Sequence, residues 1–176
     1  VRRNMPFIRG VTVSGGECTL HRDFLVELAR LARSEGLNFL LDSNGSRNFS
    51  EDAELTAAID GVMLDVKAWD EAEHIRLTDC SNRMVLRNLR FLAQAGKLEE
   101  VRTVVVPELV SAEKTVRSVC ETLCAMNAQN VRYKLIRFRP MGVRAEYRNL
   151  AVPPEALMRK LEAVAHSMGI RNTVLI

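Results

Sequence analysis

Residues 11–20 read VTVSGGECTL, and this stretch decides how the rest of the chain is interpreted. The β-branched run at 11–13 predicts a strand, because branched side chains pack well on a pleated surface. The strand stops at Gly15 and Gly16, and an acid, Glu17, follows at once. Glycine permits either a tight turn into a helix or a close approach of the backbone to a small, positively charged group, since no Cβ intervenes.

The same order, strand and then helix, repeats along the chain. The predicted strands are residues 10–14, 37–41, 61–67, 101–107, 132–138 and 172–176. The predicted helices are 22–35, a segment capped by Ser50, a short segment after Asp70, 82–95, 112–127 and 154–168. The first helix is expected to bury a face made of Phe24, Leu25, Leu28, Leu31 and Ala32. This alternation predicts right-handed βαβ units in one α/β domain over residues 1–176, either a doubly wound sheet or part of a (β/α) barrel.

Composition excludes several classes of protein. The 176 residues are 47% hydrophobic and 27% charged, as in ordinary globular chains. The net charge of +3 is too small to indicate a nucleic-acid partner. No apolar run approaches the roughly 20 residues that span a membrane. The four cysteines are irregularly spaced, which is typical of reduced thiols and predicts a cytoplasmic protein.

Charged and small residues gather where the predicted strands end. In chain order they are Gly15-Gly16-Glu17, Asp42-Ser43-Asn44, Asp65 with Lys67, and Arg139, while Arg102 lies near the start of its own strand. Function in α/β sheets collects at this end of the strands. The mixed charge suits a zwitterion, because a carboxylate binds an ammonium group and Lys67 or an arginine binds a carboxylate. We therefore expect an amino-acid-like ligand, with Glu17 as the anion for its amino group.

Five segments together resemble one enzyme family: SGGE (14–17), LDSNG (41–45), MLDVK (63–67), VRTVVVP (101–107) and LIRFRP (135–140). Their order and spacing resemble the radical S-adenosylmethionine (SAM) enzymes that activate glycyl radical enzymes, in particular the pyruvate formate-lyase activating type. The resemblance covers essentially the whole chain. It implies an oxidoreductase in which a reduced [4Fe–4S] cluster cleaves SAM and a glycine of a partner enzyme becomes a radical. It also implies a flavodoxin-type or ferredoxin-type reductant, and neither nucleic acid nor membrane as a partner.

The resemblance also assigns residues. The residues that it implies for SAM binding are Gly15, Gly16, Glu17, Asp42, Ser43, Asp65, Lys67, Arg102, Val104 and Arg139. Gly15, Gly16 and Glu17 would hold the methionyl amine, and Lys67 would neutralise the methionyl carboxylate. Arg139 falls where many relatives carry a histidine. A monovalent-cation site is implied at Asp42, Ser43, Met63 and Asp65.

The C-x3-C-x2-C loop that binds the cluster in this family is absent. Cys120 and Cys124 have the first spacing, but Asn127 stands where the third thiolate belongs, and helical spacing predicts that the pair packs in the core. We expect a C-terminal portion of a longer enzyme, with cluster ligands encoded upstream of Val1. On this interpretation the fold is a partial (β/α)6 barrel missing its first strand, and the isolated chain is inactive. Its uncovered edge strand, residues 10–14, would favour self-association.

Two other functions remain open from the sequence. One is a barrel lyase or isomerase that uses Lys67 as a base or Schiff-base lysine. The other is a non-catalytic docking module for a glycyl radical enzyme. The long basic loop at about 139–152 is a candidate surface for that partner. His74 has no metal-like spacing and is expected to be exposed.

Overall fold

Six strands, with helices between them, occupy residues 7–176, the part of the chain that the computed structural model describes. The strands are β1 (Gly10–Val13), β2 (Asn38–Ser43), β3 (Gly61–Asp65), β4 (Leu98–Val105), β5 (Arg132–Arg137) and β6 (Thr173–Leu175). The helices are α1 (Arg22–Ser34), α2 (Ala53–Ala58), α3 (Glu71–Thr78), α4 (Arg83–Gln94), α5 (Ala112–Ala125) and α6 (Glu155–Ser167). Short 3-10 turns occur at Cys18–His21, Phe49–Glu51 and Ala145–Tyr147. None of the helices in this range is long and apolar enough to cross a bilayer.

The six strands form one parallel sheet in chain order, from β1 to β6. Each connection between neighbouring strands carries at least one helix, as parallel pairing requires. Within residues 7–176, β1 and β6 are the two edges of this open sheet. The prediction of an α/β fold with a parallel sheet is confirmed. The strand expected before β1 lies outside the described residues and stays a prediction.

Alternate residues of each strand face opposite sides of the sheet. One side packs against the helices, and the shared core includes Phe39, Leu64 and Leu135 from strands and Leu89 and Leu123 from helices. These side chains are at most 1% exposed. The intervening strand residues lie on the other side. That second side carries the charged residues of the candidate site.

The cap of α2 differs from the prediction. The carboxylate of Asp52 accepts a hydrogen bond from Leu55 N at 3.0 Å and begins the helix. Ser50, the predicted cap, lies in the preceding 3-10 turn. The local pattern did not reveal this turn, which moves the start of the helix beyond Ser50. An Asp at the N-cap satisfies an amide donor that the first helical turn leaves free.

The buried face of α1 is also rotated from the prediction. Leu25, Val26 and Ala29 are buried, whereas Phe24 and Leu31 are 59% and 56% exposed. The apolar residues of α1 extend around more of its circumference than the face that packs against the sheet. Periodicity alone therefore did not identify the buried face. The exposed pair leaves apolar surface on α1.

Candidate functional site

The register of the sheet brings charged residues from separate motifs together. Asp42 of β2 is paired with Met63 of β3, and Asp65 of β3 is paired with Arg102 of β4. Arg102 is paired in turn with Lys134 of β5. The structure therefore places Asp42 and Asp65 at the same end of the sheet, as predicted.

The guanidinium of Arg102 contacts both aspartates. Its Nη1 donates to Asp42 Oδ2 at 3.0 Å, and its Nη2 donates to Asp42 Oδ1. Its Nε lies 3.0 Å from Asp65 Oδ1 without the alignment that a hydrogen bond needs, so we treat this contact as an ion pair. Lys67 Nζ donates to Asp65 Oδ2 at 2.7 Å. Each of the four carboxylate oxygens thus has a positively charged partner.

This cluster is partly shielded from solvent. The side chain of Arg102 is 15% exposed, and those of Asp42 and Asp65 are each 26% exposed. Burial lowers the pKa of Arg102, yet the guanidinium remains charged because arginine is not deprotonated in proteins. Bidentate arginine–carboxylate pairs fix both distance and orientation. The pair between Arg102 and Asp42 therefore links β2 to β4 across β3.

Glu100 precedes Arg102 by two residues on the same face of β4 and is fully buried. Its Oε1 lies 2.8 Å from Lys134 Nζ and 4.0 Å from Arg102 Nε, and its Oε2 lies 3.4 Å from Arg132 Nη1. Neither carboxylate oxygen has a well-aligned hydrogen bond. We interpret the contacts as ion pairs, because opposite charges this close attract strongly whatever the angle of the N–H. Sequence reasoning missed Glu100, since a lone glutamate early in a strand has no distinctive local pattern.

The glycine turn after β1 is open. Gly15 and Gly16 have φ angles of +106° and +54°, which residues with a side chain rarely adopt. A Cβ at either position would meet no atom within 4 Å. The turn therefore presents exposed backbone to an open space at the carboxyl end of β1.

Glu17 connects the loop after β1 to the loop after β2. Its Oε1 accepts hydrogen bonds from Thr19 Oγ1 at 2.6 Å and Ser43 Oγ at 2.9 Å. Its Oε2 accepts a hydrogen bond from Asn44 N at 2.7 Å. The carboxylate that was expected to receive a ligand's amino group is thus bound to donors of this chain. In this structure Glu17 holds the two loops in place.

Asn88, a buried residue of α4, also holds the loop after β2. Its Nδ2 donates to the carbonyls of Gly45 at 2.9 Å and Arg47 at 2.6 Å, and its Oδ1 accepts from Phe49 N at 3.1 Å. Its side chain satisfies three backbone groups that would otherwise lack a partner. Sequence reasoning missed Asn88 because its partners are about 40 residues away in the chain.

A cavity of about 340 Å³ adjoins Lys67. It is lined by Asn44, Ser46, Asp65, Lys67, His74, Leu77, Thr78, Cys80, Ser81, Val85 and Arg144. His74 is only 5% exposed, so its expected exposure is wrong. Its Nδ1 lies 2.8 Å from the carbonyl of Cys80, which assigns the proton to Nδ1, because a carbonyl can only accept.

The remaining predicted residues lie at or near the same end of the sheet. Val104 follows Arg102 on the same face of β4 and is half-buried. Arg139 follows β5 and is exposed. Beyond it, the loop after β5 reaches α3, where Arg144 Nη1 lies 3.2 Å from Asp79 Oδ2 and Tyr147 OH donates to the carbonyl of Arg76.

The four cysteines are free thiols, and Cys120 and Cys124 lie one helical turn apart on α5. Burial raises the pKa of Cys18 to about 11, and its thiol donates to the carbonyl of Asp42 at 3.3 Å. Burial raises the pKa of Cys120 to about 12, and Cys124 Sγ donates to the carbonyl of Met168. Among residues 7–176, no three His, Cys, Asp or Glu side chains could hold a metal ion together.

Comparison with known proteins identifies the family. The radical SAM superfamily profile matches residues 1–119. A Haemophilus influenzae protein named as a glycyl-radical enzyme activating enzyme is 33% identical over 100% of this chain and 75% of its own length. The pyruvate formate-lyase-activating enzyme of Streptococcus mutans is 32% identical, over 82% of this chain and 56% of the enzyme. The chain thus spans only part of these relatives.

Solved structures share the fold. A domain of pyruvate-formate lyase-activating enzyme from Bacteroides vulgatus superposes with a TM-score of 0.80 at 20% identity, covering 95% of this chain and 98% of that domain. Streptococcus suis SuiB bound to S-adenosylmethionine superposes with a TM-score of 0.72 at 13% identity, covering 95% of this chain and 39% of SuiB. At these identities the likeness concerns the fold alone. The profile match and the Haemophilus relative carry the assignment: the chain belongs to the radical SAM superfamily, among the activating enzymes of glycyl-radical enzymes.

Proposed function

We propose that this chain is the SAM-binding part of an enzyme that generates a glycyl radical on a partner protein. The observation that carries this proposal is the convergence, at one end of a parallel sheet, of the glycine turn, two aspartates, a lysine and an arginine. A zwitterionic ligand needs acceptors for its amino group and cations for its carboxylate, and this end of the sheet carries both.

Each residue group has a separate part in holding SAM. The exposed carbonyls of Gly15 and Gly16 would accept from the methionyl amino group, since the open turn leaves room for it. Lys67 would bind the methionyl carboxylate, with Arg139 as a second exposed cation at the same end of the sheet. Val104 offers an apolar contact, and Ser43 lies beside the glycine turn through its bond to Glu17. Glu17 itself would act by positioning these loops.

When bound, SAM would supply, on one-electron reduction, the radical for abstraction of hydrogen from a glycine of the partner. The residues described here do not fit the iron–sulfur cluster that would deliver the electron, so no step of cleavage is assigned to them. Their part is to bind and orient the cofactor, which contributes to catalysis by positioning. The glycyl radical enzyme, the flavodoxin-type or ferredoxin-type reductant and the inactivity of the isolated chain remain parts of the proposal. The four free thiols support a cytoplasmic location.

SAM binding by the chain tests this function. Isothermal titration should detect weak binding, and Lys67→Met should weaken it about tenfold, because Lys67 is 36% exposed and solvent reduces the value of one charge-assisted contact. Lys160→Met removes a lysine at the surface, 65% exposed, and is the matched control. Equal affinities for wild type and Lys67→Met would contradict the assigned role of Lys67.

The lyase or isomerase alternative needs a neutral Lys67. In the structure Lys67 Nζ is paired with Asp65 at 2.7 Å, so its nitrogen is occupied by a carboxylate of this chain and is not free to attack a carbonyl carbon. We therefore favour the role in carboxylate binding. Borohydride trapping of Lys67 with a carbonyl substrate would reverse this preference. Tight binding of a glycyl radical enzyme without any SAM binding would support the docking module instead.

A further inference from the structure

The implied cation site does not match the contacts in the structure. Family resemblance places a monovalent cation at Asp42, Ser43, Met63 and Asp65. Both oxygens of Asp42 bind the guanidinium of Arg102, while the oxygens of Asp65 are divided between Arg102 and Lys67. A bound cation would therefore share these oxygens with positive groups that this chain supplies.

The charges of the surrounding cluster already balance. Three acids, Asp42, Asp65 and Glu100, contact three bases, Lys67, Arg102 and Lys134. Arg132 also lies near Glu100, but its charge is offset because it pairs with Glu99 at 3.3 Å as well. An additional cation would bring like charges together in a partly buried region, where repulsion is screened less than in water.

Arg102 also contacts Glu100, which lies two residues earlier on the same strand. Its Nε lies 4.0 Å from Glu100, which is itself fully buried and paired with Lys134 at 2.8 Å. Residues two apart in a strand share a face, so Glu100 restrains the arginine that sits between the aspartates. The guanidinium thus lies among carboxylates from three adjacent strands.

We propose that Arg102 is a built-in counter-cation for Asp42 and Asp65, which allows this end of the sheet to assemble without a bound alkali ion. One consequence, that SAM affinity should not depend on the alkali ion, rests on the proposed SAM site. The rest of the inference is independent of SAM, because it concerns only the ion pairs of the chain.

The first test compares thermal unfolding in sodium, potassium and choline chloride at equal ionic strength. A ligand that binds only the folded state raises the melting temperature. The wild-type chain and the control Arg117→Gln, which removes an exposed pair with Glu113, should melt equally in all three salts. Arg102→Gln should melt lower in choline and regain stability in sodium or potassium. A wild type stabilised specifically by sodium or potassium would overturn the proposal, as would an Arg102→Gln chain as stable as wild type in choline.

A second measurement avoids the risk that Arg102→Gln does not fold. Sodium-23 relaxation of the wild-type chain, compared with Asp42→Asn, should show no additional bound sodium. A sodium-23 signal that is broader with the wild-type chain than with Asp42→Asn would overturn the proposal. SAM titrations in the three salts should agree within twofold, and a tenfold loss in choline would contradict cation independence. Failure of SAM to bind in every salt would refute the proposed function and leave the sodium result intact.

Discussion

Gly45→Ala tests how tightly the loop after β2 is packed at the site. Gly45 has φ +73°, a conformation that costs a residue with a side chain about 1–2 kcal/mol. A Cβ there would lie 2.7 Å from Leu64 Cδ1 and 3.4 Å from Val85 Cα. Overpacking of this kind costs about 1–3 kcal/mol. The expected loss in the free energy of unfolding is therefore about 2–5 kcal/mol.

Urea denaturation measures this loss, and Gly96→Ala is the matched control. Gly96 has a similar φ of +65°, but a Cβ there meets no atom within 4 Å, so only the conformational cost of about 1–2 kcal/mol applies. The difference between the two variants isolates the contact with Leu64 and Val85. If both variants lose the same stability, the loop does not pack against β3 and α4 as described.

Three further predictions concern the same fold. Asn88→Ala should destabilise the chain by about 2–4 kcal/mol in urea, since two buried backbone groups and one partly buried one lose their partner; an unchanged midpoint would contradict this. Burial disfavours the ionised form of Asp52, but the contacts with Arg22 outweigh this effect and lower the pKa of the carboxyl. The ionised carboxylate should therefore stabilise the fold above about pH 4, and this stabilisation should be lost as the pH falls through the lowered pKa. The acid sensitivity of Asp52→Asn should accordingly be smaller. Sedimentation should show concentration-dependent association through β1 and the exposed Phe24, and Phe24→Lys should reduce it; a wild type that remains monomeric at high concentration would contradict this.

The fold was predictable because each unit carries its own signals. Runs such as VRTVVVP favour strands, and glycines at positions 36 and 96 end the helices that follow the predicted pattern. The sequence was less informative where it allows more than one structure. Ser50 and Asp52 could each cap α2, and α1 has more apolar residues than its buried face needs. Parallel pairing then places the ends of successive strands side by side, which is why the convergence of Asp42 and Asp65 could be expected.

The partners of the site residues could not be predicted in the same way. Glu17 carries the charge expected at a ligand site, but the sequence does not show that Ser43 and Asn44 will use its oxygens. Glu100 and Asn88 acquire their importance only through contacts with distant strands and loops. Such contacts depend on the register of the sheet and on the position of α4. Neither is encoded in a short motif.

The most direct test of the account is to map SAM onto the chain by nuclear magnetic resonance. Titration of the isotopically labelled protein with SAM should shift the amide signals of Gly15, Gly16, Asn44 and Lys67, with adenosine and methionine each reproducing part of the change. The amides of the α5–α6 surface should stay unchanged and serve as the internal control. Saturable shifts at these four residues are expected if this end of the sheet binds SAM. Shifts confined to other surfaces, or none at millimolar SAM, would contradict the claim that this end of the sheet binds the cofactor.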